Sequence, residues 1–184
     1  MSTHYDYPSP HFDELFKSFE HTAYRLETRD RYNAKGERVA AFLAGDLGAE
    51  DIREGWWLPN VRAATTAGRR FERVRVVSMP PTDYSRYGLF TSRHNIDAGE
   101  DIRYLVRTEA QELGLPNHDY WLFDSRTLAR LHFDDSDDHL VSVEIIEDDH
   151  EQIVQANYWR DVAWHHAVKR GDFVAGHAIR GVGD

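Results

Sequence analysis

The stretch Gly68-Arg-Arg-Phe-Glu-Arg-Val-Arg-Val-Val-Ser-Met-Pro-Pro-Thr82 decides the fold class. Phe71 to Ser78 alternates, with Val74 and Val76 on one side and Phe71, Arg73, Arg75 and Val77 on the other. That is the period of two a strand imposes. Pro80-Pro81 closes it, because neither residue can donate to a ladder. Thr82 then stands as the N-cap of a helix reaching about His94, with Asp83 in its first turn. The strand has one apolar side and one side that carries arginine.

Two further segments repeat the pattern. Asp101 to Arg107 sets Ile102, Tyr104 and Val106 against Asp101, Arg103, Leu105 and Arg107. His21 to Tyr32 sets Tyr24 and Leu26 against Arg25, Glu27 and Arg29. Neighbouring strands in matched register would gather these arginines on one sheet face with few acids. Asp119 to Asp124 reads as a strand rich in Tyr, Trp and Phe. Leu128 to Phe133 and Leu140 to Ile146 read as a hairpin about the polar turn Asp134 to Asp138. Helices are predicted over 11–19, 37–44 and, longest, 151–169, with a helical turn before Gly114 and an irregular segment over 46–68. Strands cluster in the C-terminal half. The predicted class is therefore α+β, a mixed, largely antiparallel sheet with helices packed on one face and a long C-terminal helix. One domain is expected over 1–184, with 1–10 and 171–184 as flexible tails.

The composition fits a globular chain, with 41% hydrophobic, 12% aromatic and 29% charged residues. Cysteine is absent, which removes disulfides, thiolate metal sites and cysteine nucleophiles together. The N-terminus lacks the basic and apolar regions of a signal peptide, and no apolar stretch reaches membrane-spanning length, so a cytoplasmic location is expected. A formal net charge of −10 argues against non-specific affinity for nucleic acid or an anionic membrane. The charge is uneven, however. Arginines cluster from Arg53 to Arg75 with only Glu54 and Glu72 among them, while the chain from Arg130 to Arg160 has acids but no intervening Lys or Arg. Complementary segments of this kind could also join copies of the chain.

Sequence motifs exclude more than they identify. The Asp134 to Asp138 loop fails the calcium pattern, because His139 stands where the required glycine belongs. Asp161 and His165 share a helix face, but two ligands do not make a metal site. Arg160 and Trp164 are placed for a cation–π contact on the same helix. Nucleophile-elbow, phosphate-loop and dinucleotide fingerprints are all missing. No catalytic residue, metal or cofactor is assigned.

The candidate ligand-binding set is Arg73, Arg75, Arg103, Trp121, Asp124 and Arg126. The arginine face could be a solvated face whose side chains pair with Glu27, Asp101 and Asp119. The other reading is a surface for a phosphate, a carboxylate or an acidic partner segment. Asp124-Ser125-Arg126 sets a carboxylate, a hydroxyl and a guanidinium at a sheet edge, or simply caps a turn.

The pieces from Gly68 to Ser78, Gly99 to Leu105, Tyr120 to Arg126 and Leu131 to Asp134, with Arg160, Asp161 and Trp164, resemble an uncharacterised actinobacterial family of unknown function. The similarity covers about residues 12–170. Such proteins resemble accessory proteins often encoded beside helix-turn-helix regulators, which implies, by association, a role in regulation; no catalytic residues come with it. The expected function is a non-catalytic regulatory or protein-interaction module whose arginine face contacts an acidic partner or a small anionic ligand. A regulator, or a second copy of the chain, is the expected partner, and direct nucleic-acid binding is disfavoured. The alternative is a small enzyme on a phosphorylated or carboxylated substrate, with Arg73, Arg75, Arg103 and Arg126 as clamps and Asp124 or a histidine as acid or base.

Overall fold

The computed structural model describes residues 2–32, 36–46 and 55–182. Strands β1 (Ser2–Asp6), β2 (Thr22–Glu27), β3 (Arg70–Val77), β4 (Asp101–Val106), β5 (Tyr120–Phe123), β6 (Thr127–Phe133), β7 (Leu140–Ile146) and β8 (Val168–Lys169) form one mixed sheet in the order β1-β7-β6-β5-β2-β3-β4-β8. Pairing is parallel only from β2 to β3 and from β3 to β4. The helices are α1 (Pro10–Ser18), α2 (Gly36–Ala44), α3 (Trp57–Thr66), α4 (Asp83–Asp97), α5 (Arg107–Glu112), α6 (His150–His166) and α7 (Arg170–Gly176). The fold is α+β, with α6 as the long helix near the C-terminus. Among the described residues no helix is long and apolar enough to cross a membrane.

Local chemistry sets the boundaries. Ser9 caps α1 by accepting from the Phe12 amide, and Pro10 opens the helix. Thr82 caps α4 by accepting from the Ser85 amide at 3.1 Å. Asp149 caps α6 in the same way, through Gln152. Between β5 and β6 the chain reverses through Asp124 and Ser125, both at positive φ (51° and 59°), the signature of a tight I′-type hairpin. The irregular reading of 46–68 missed α3. The 47–54 part of that segment lies outside the described residues.

Helices cover both faces of the sheet, where one was expected. Phe12 and Phe16 of α1 and Val61 and Ala64 of α3 pack with Ala23, Phe71, Trp121 and Ile145. Ile153, Ala156 and Ala163 of α6 and Ala110 of α5 pack on the other side with Tyr24, Val74, Tyr120 and Leu122. The reason is visible in β5, where Tyr120, Trp121, Leu122 and Phe123 are all buried: a strand apolar on both sides needs two layers. Phe16 alone meets the rings of Trp56, Trp57, Trp121 and Phe123 edge-on at 4.9 to 6.0 Å between centroids.

Neither terminal segment is a tail over its described length. Ser2–Asp6 pairs with β7, Ser2 opposite Ile146 and Asp6 opposite Ser142. Beyond α6, Lys169 pairs with Arg103 as β8, and α7 docks Phe173 against Tyr104 at 5.3 Å. Buried Arg170 ties this segment down, donating to the Leu89 and Val182 carbonyls at 2.8 and 2.7 Å.

Candidate functional site

The arginines of the strands do not share one face. Register pairs Arg25 with Arg73 and Glu27 with Arg75, so these four point to the side covered by α1, α3 and α4. Across β3 and β4, Arg73 pairs with Ile102 and Val74 with Arg103. Arg103 is therefore on the opposite face, where its guanidinium lies 3.8 Å from the Trp164 ring and donates to the Trp164 carbonyl. Trp164 thus takes its cation from Arg103, while Arg160 turns to Ser125 and Asp161.

On the first face the arginines are buried and shared among carboxylates. Glu27 receives Arg73 at 3.1 Å, Arg25 at 3.3 Å and Arg75 at 3.6 Å. Arg73 also reaches Glu100 at 2.7 Å, and Arg25 reaches Asp119 at 3.4 Å. Asp119 is held in turn by the Thr28 amide and hydroxyl and by the Tyr32 hydroxyl, at 2.7, 2.9 and 2.6 Å. Burial alone would raise the Glu27 carboxyl, but Arg25, Arg73 and Arg75 together outweigh it and hold the group down at about 2. Three guanidiniums face three carboxylates, so the set is neutral.

Gly88, in the middle of α4, makes room for this arrangement. A Cβ there would come within 2.5 Å of Arg75 Nη1. Arg75 in turn lies 5.9 Å from the Tyr32 ring centroid and 5.4 Å from that of Tyr84.

Beyond Tyr32 and Tyr84 a cleft of about 880 Å³ opens at the carboxyl ends of β2, β3 and β4. That edge of parallel strands is where open sheets of this kind place their ligands. Thr28 to Tyr32 line it from the end of β2, Thr82 to Tyr84 from the start of α4, Arg107 from the start of α5, and Asp138 from the β6–β7 hairpin. Arg107 is fixed by Ser78 Oγ at 2.7 Å and Asp30 at 3.0 Å, and Asp30 also accepts from the Ser78 hydroxyl at 2.6 Å. Arg29 and Arg31 both rest on one carboxylate, Asp138, at 2.6 and 2.5 Å. Asp138 has a φ of 60°, a conformation that an aspartate tolerates better than most residues. The acidic hairpin thus meets arginines of its own chain.

The sequence-derived site residues separate into three places. Arg73 and Arg75 lie in the buried network, and Trp121 packs beside it, its ring 5.5 Å from the Arg25 guanidinium carbon. Arg103 is on the other face. Asp124 and Arg126 sit at the β5–β6 turn. There Asp124 accepts from the Glu20, His21 and Thr22 amides at 2.8, 2.8 and 2.9 Å, which ties β5 to the entry of β2. Arg126 is exposed and 4.0 Å from Asp124. No single pocket unites the six. Arg31, Tyr32, Tyr84 and Asp138 are not among them, and Arg29 and Arg107, read as strand residues of the arginine face, stand instead just past the ends of β2 and β4. Among the described residues no group of three or more His, Asp or Glu is placed to hold a metal.

Residues 10–175 match the family described as Domain of unknown function (DUF6879). No curated protein matches the chain. Among solved structures the chain is similar to a phospholipase D family member, Nuc from Salmonella typhimurium, with 11% identity and a TM-score of 0.52, covering 92% of this chain and 97% of that one. It also matches TrmBL2, an archaeal chromatin protein, with 9% identity and a TM-score of 0.47, covering 91% of this chain and 54% of that one. At such identities the first likeness is one of fold alone.

Proposed function

We propose that this chain, which belongs to the DUF6879 family of domains of unknown function, is a non-catalytic regulatory module that takes a small phosphate- or carboxylate-bearing ligand in the cleft at the carboxyl ends of β2–β4. The observation that carries this reading is the convergence of Arg29, Arg31 and Arg107 on that cleft, where Arg29 and Arg31 share the carboxylate of Asp138, Arg29 reaching Asp135 as well and lying over the Phe133 ring at 5.1 Å. Planar guanidiniums suit the oxygens of phosphate and carboxylate. A ligand that takes Arg29 and Arg31 releases Asp138, so occupancy is felt by the 134–138 turn. The resemblance to accessory proteins encoded beside helix-turn-helix regulators supports a regulator as the partner that reads this change, in the cytoplasm of an actinobacterial host.

The cleft's titrating groups support binding over catalysis. Burial raises Tyr32 and Tyr84, whereas hydrogen bonds from Ser78 and Arg107 outweigh burial to lower Asp30, and those from Arg29 and Arg31 lower Asp138. All four move away from neutral pH, where a general acid or base works best. The test is titration calorimetry with inorganic pyrophosphate. Saturable binding by the wild type, weakened at least about tenfold in Arg29→Ala/Arg31→Ala, is expected from the loss of two charge-assisted contacts. Absence of binding at millimolar pyrophosphate, or equal binding by both proteins, would overturn the proposal.

A further inference from the structure

On the other flank of the buried network a second cavity, of about 350 Å³, lies between α1, the start of α3 and strands β5–β7. Its walls are rings. Phe16, Trp57, Trp121 and Phe133 line it, with Trp56 and Tyr7 beside them. Trp56 and Tyr7 are 55% and 44% exposed, and Trp56 stands edge-on to Phe16 and Trp57 at the cavity's mouth. The guanidiniums of Arg25 and Arg73 also line it, at 5.5 Å from the Trp121 ring and 6.0 Å from that of Trp57. Cavities that take small molecules begin near this size, and this volume suits one or two fused rings.

The hydrogen-bond balance says what else the occupant carries. Of the network's members Arg25 and Arg73 line the cavity, and Arg25 Nε is a buried donor without a hydrogen-bond acceptor. None of the network's carboxylates, Glu27, Glu100 and Asp119, lines the cavity, so the network turns donors toward it. Its charges already cancel, so the occupant needs an oxygen that accepts more than it needs a formal charge. We infer that this cavity binds a planar aromatic molecule of one or two rings bearing a carbonyl or carboxylate oxygen. The ring packs among Trp56, Trp57 and Trp121, and the oxygen accepts from the guanidiniums of Arg25 and Arg73, letting Arg25 redistribute its bonds within the network. The site is separate from the anion cleft, and neither reading depends on the other.

Benzoate and benzamide are the probes, with cyclohexanecarboxylate as the non-aromatic control and tryptophan fluorescence as the readout. Trp56, Trp57 and Trp121 report directly, since Trp159 and Trp164 pack on the opposite face. Both aromatic probes should quench saturably, and the cyclohexane acid should not. Trp56→Ala, an exposed position whose loss leaves the core intact, should weaken both by about fivefold through the lost ring contact, with pyrophosphate binding at the cleft unchanged. The inference is overturned if neither aromatic probe saturates below about 10 mM, if the cyclohexane acid binds equally well, or if Trp56→Ala binds as the wild type does. A failure here with pyrophosphate still bound counts against this cavity alone.

Discussion

The two faces of one sheet treat the same side chain in opposite ways. On the face under α1, α3 and α4, Arg25, Arg73 and Arg75 converge on Glu27 and are largely withdrawn from water. On the face under α5 and α6, each arginine has its own acid: Arg70 with Glu72, Arg103 with Asp101, Arg130 with Glu144. The first group is a shared, neutral, buried network; the second is a set of separate pairs nearer the surface. A central carboxylate serving three guanidiniums cannot be removed without leaving uncompensated charge in the interior. A separate pair at the rim can be lost cheaply, because water replaces the partner.

The sharpest way to break this contrast is to remove its centre. Glu27→Gln is expected to destabilise the fold by about 3–5 kcal/mol in urea unfolding. A loss below about 1 kcal/mol would mean that the three arginines are solvated after all. Acid offers the same test without mutation. Folded Glu27 takes its proton near pH 2 rather than near its ordinary 4.5, so the stability it lends is complete above pH 4.5 and is lost as pH falls toward 2. Wild type should lose about 2–3 kcal/mol more over that window than Glu27→Gln does; parallel curves would remove Glu27 from the account.

Smaller effects sharpen the geometry. Gly88→Ala should cost about 1–3 kcal/mol, because the new methyl group occupies the space of the Arg75 guanidinium. In an Arg75→Met background that penalty should largely disappear, and a persistent one would place its cause in the helix backbone. On the other face, Arg103→Ala should lose only about 0.5–1 kcal/mol, the worth of a partly exposed stack on Trp164. A loss as large as that of Glu27→Gln would erase the distinction between the faces.

What the sequence revealed and what it concealed follow from the range of the interactions. The alternation of β3, its proline stop and the Thr82 cap are local, and they stand as read. Which face an arginine occupies is not local. In β3 the apolar pair Val74 and Val76 meets the α5–α6 side, whereas in β4 the apolar set Ile102 and Tyr104 meets Leu89 of α4 and Phe173 of α7. The two strands therefore turn opposite sides to the same face, which no single strand's pattern can disclose. Short pairing elements were also hidden. Ser2–Asp6 alternates weakly beside prolines, and Val168–Lys169 spans two residues, so each exists because a partner edge is there to receive it. The cleft was illegible for a related reason: Arg29, Arg31 and Arg107 matter only once β2, β3 and β4 are known to run parallel and end together.

A crystal structure of the protein saturated with pyrophosphate would show whether an anion sits at those strand ends and whether the chain's own carboxylate holds the site closed. Pyrophosphate is expected in contact with Arg29, Arg31 and Arg107, with Asp138 moved off both arginines and the Glu27 network unchanged. Asp138 still bridging Arg29 and Arg31, with pyrophosphate bound elsewhere, would contradict it.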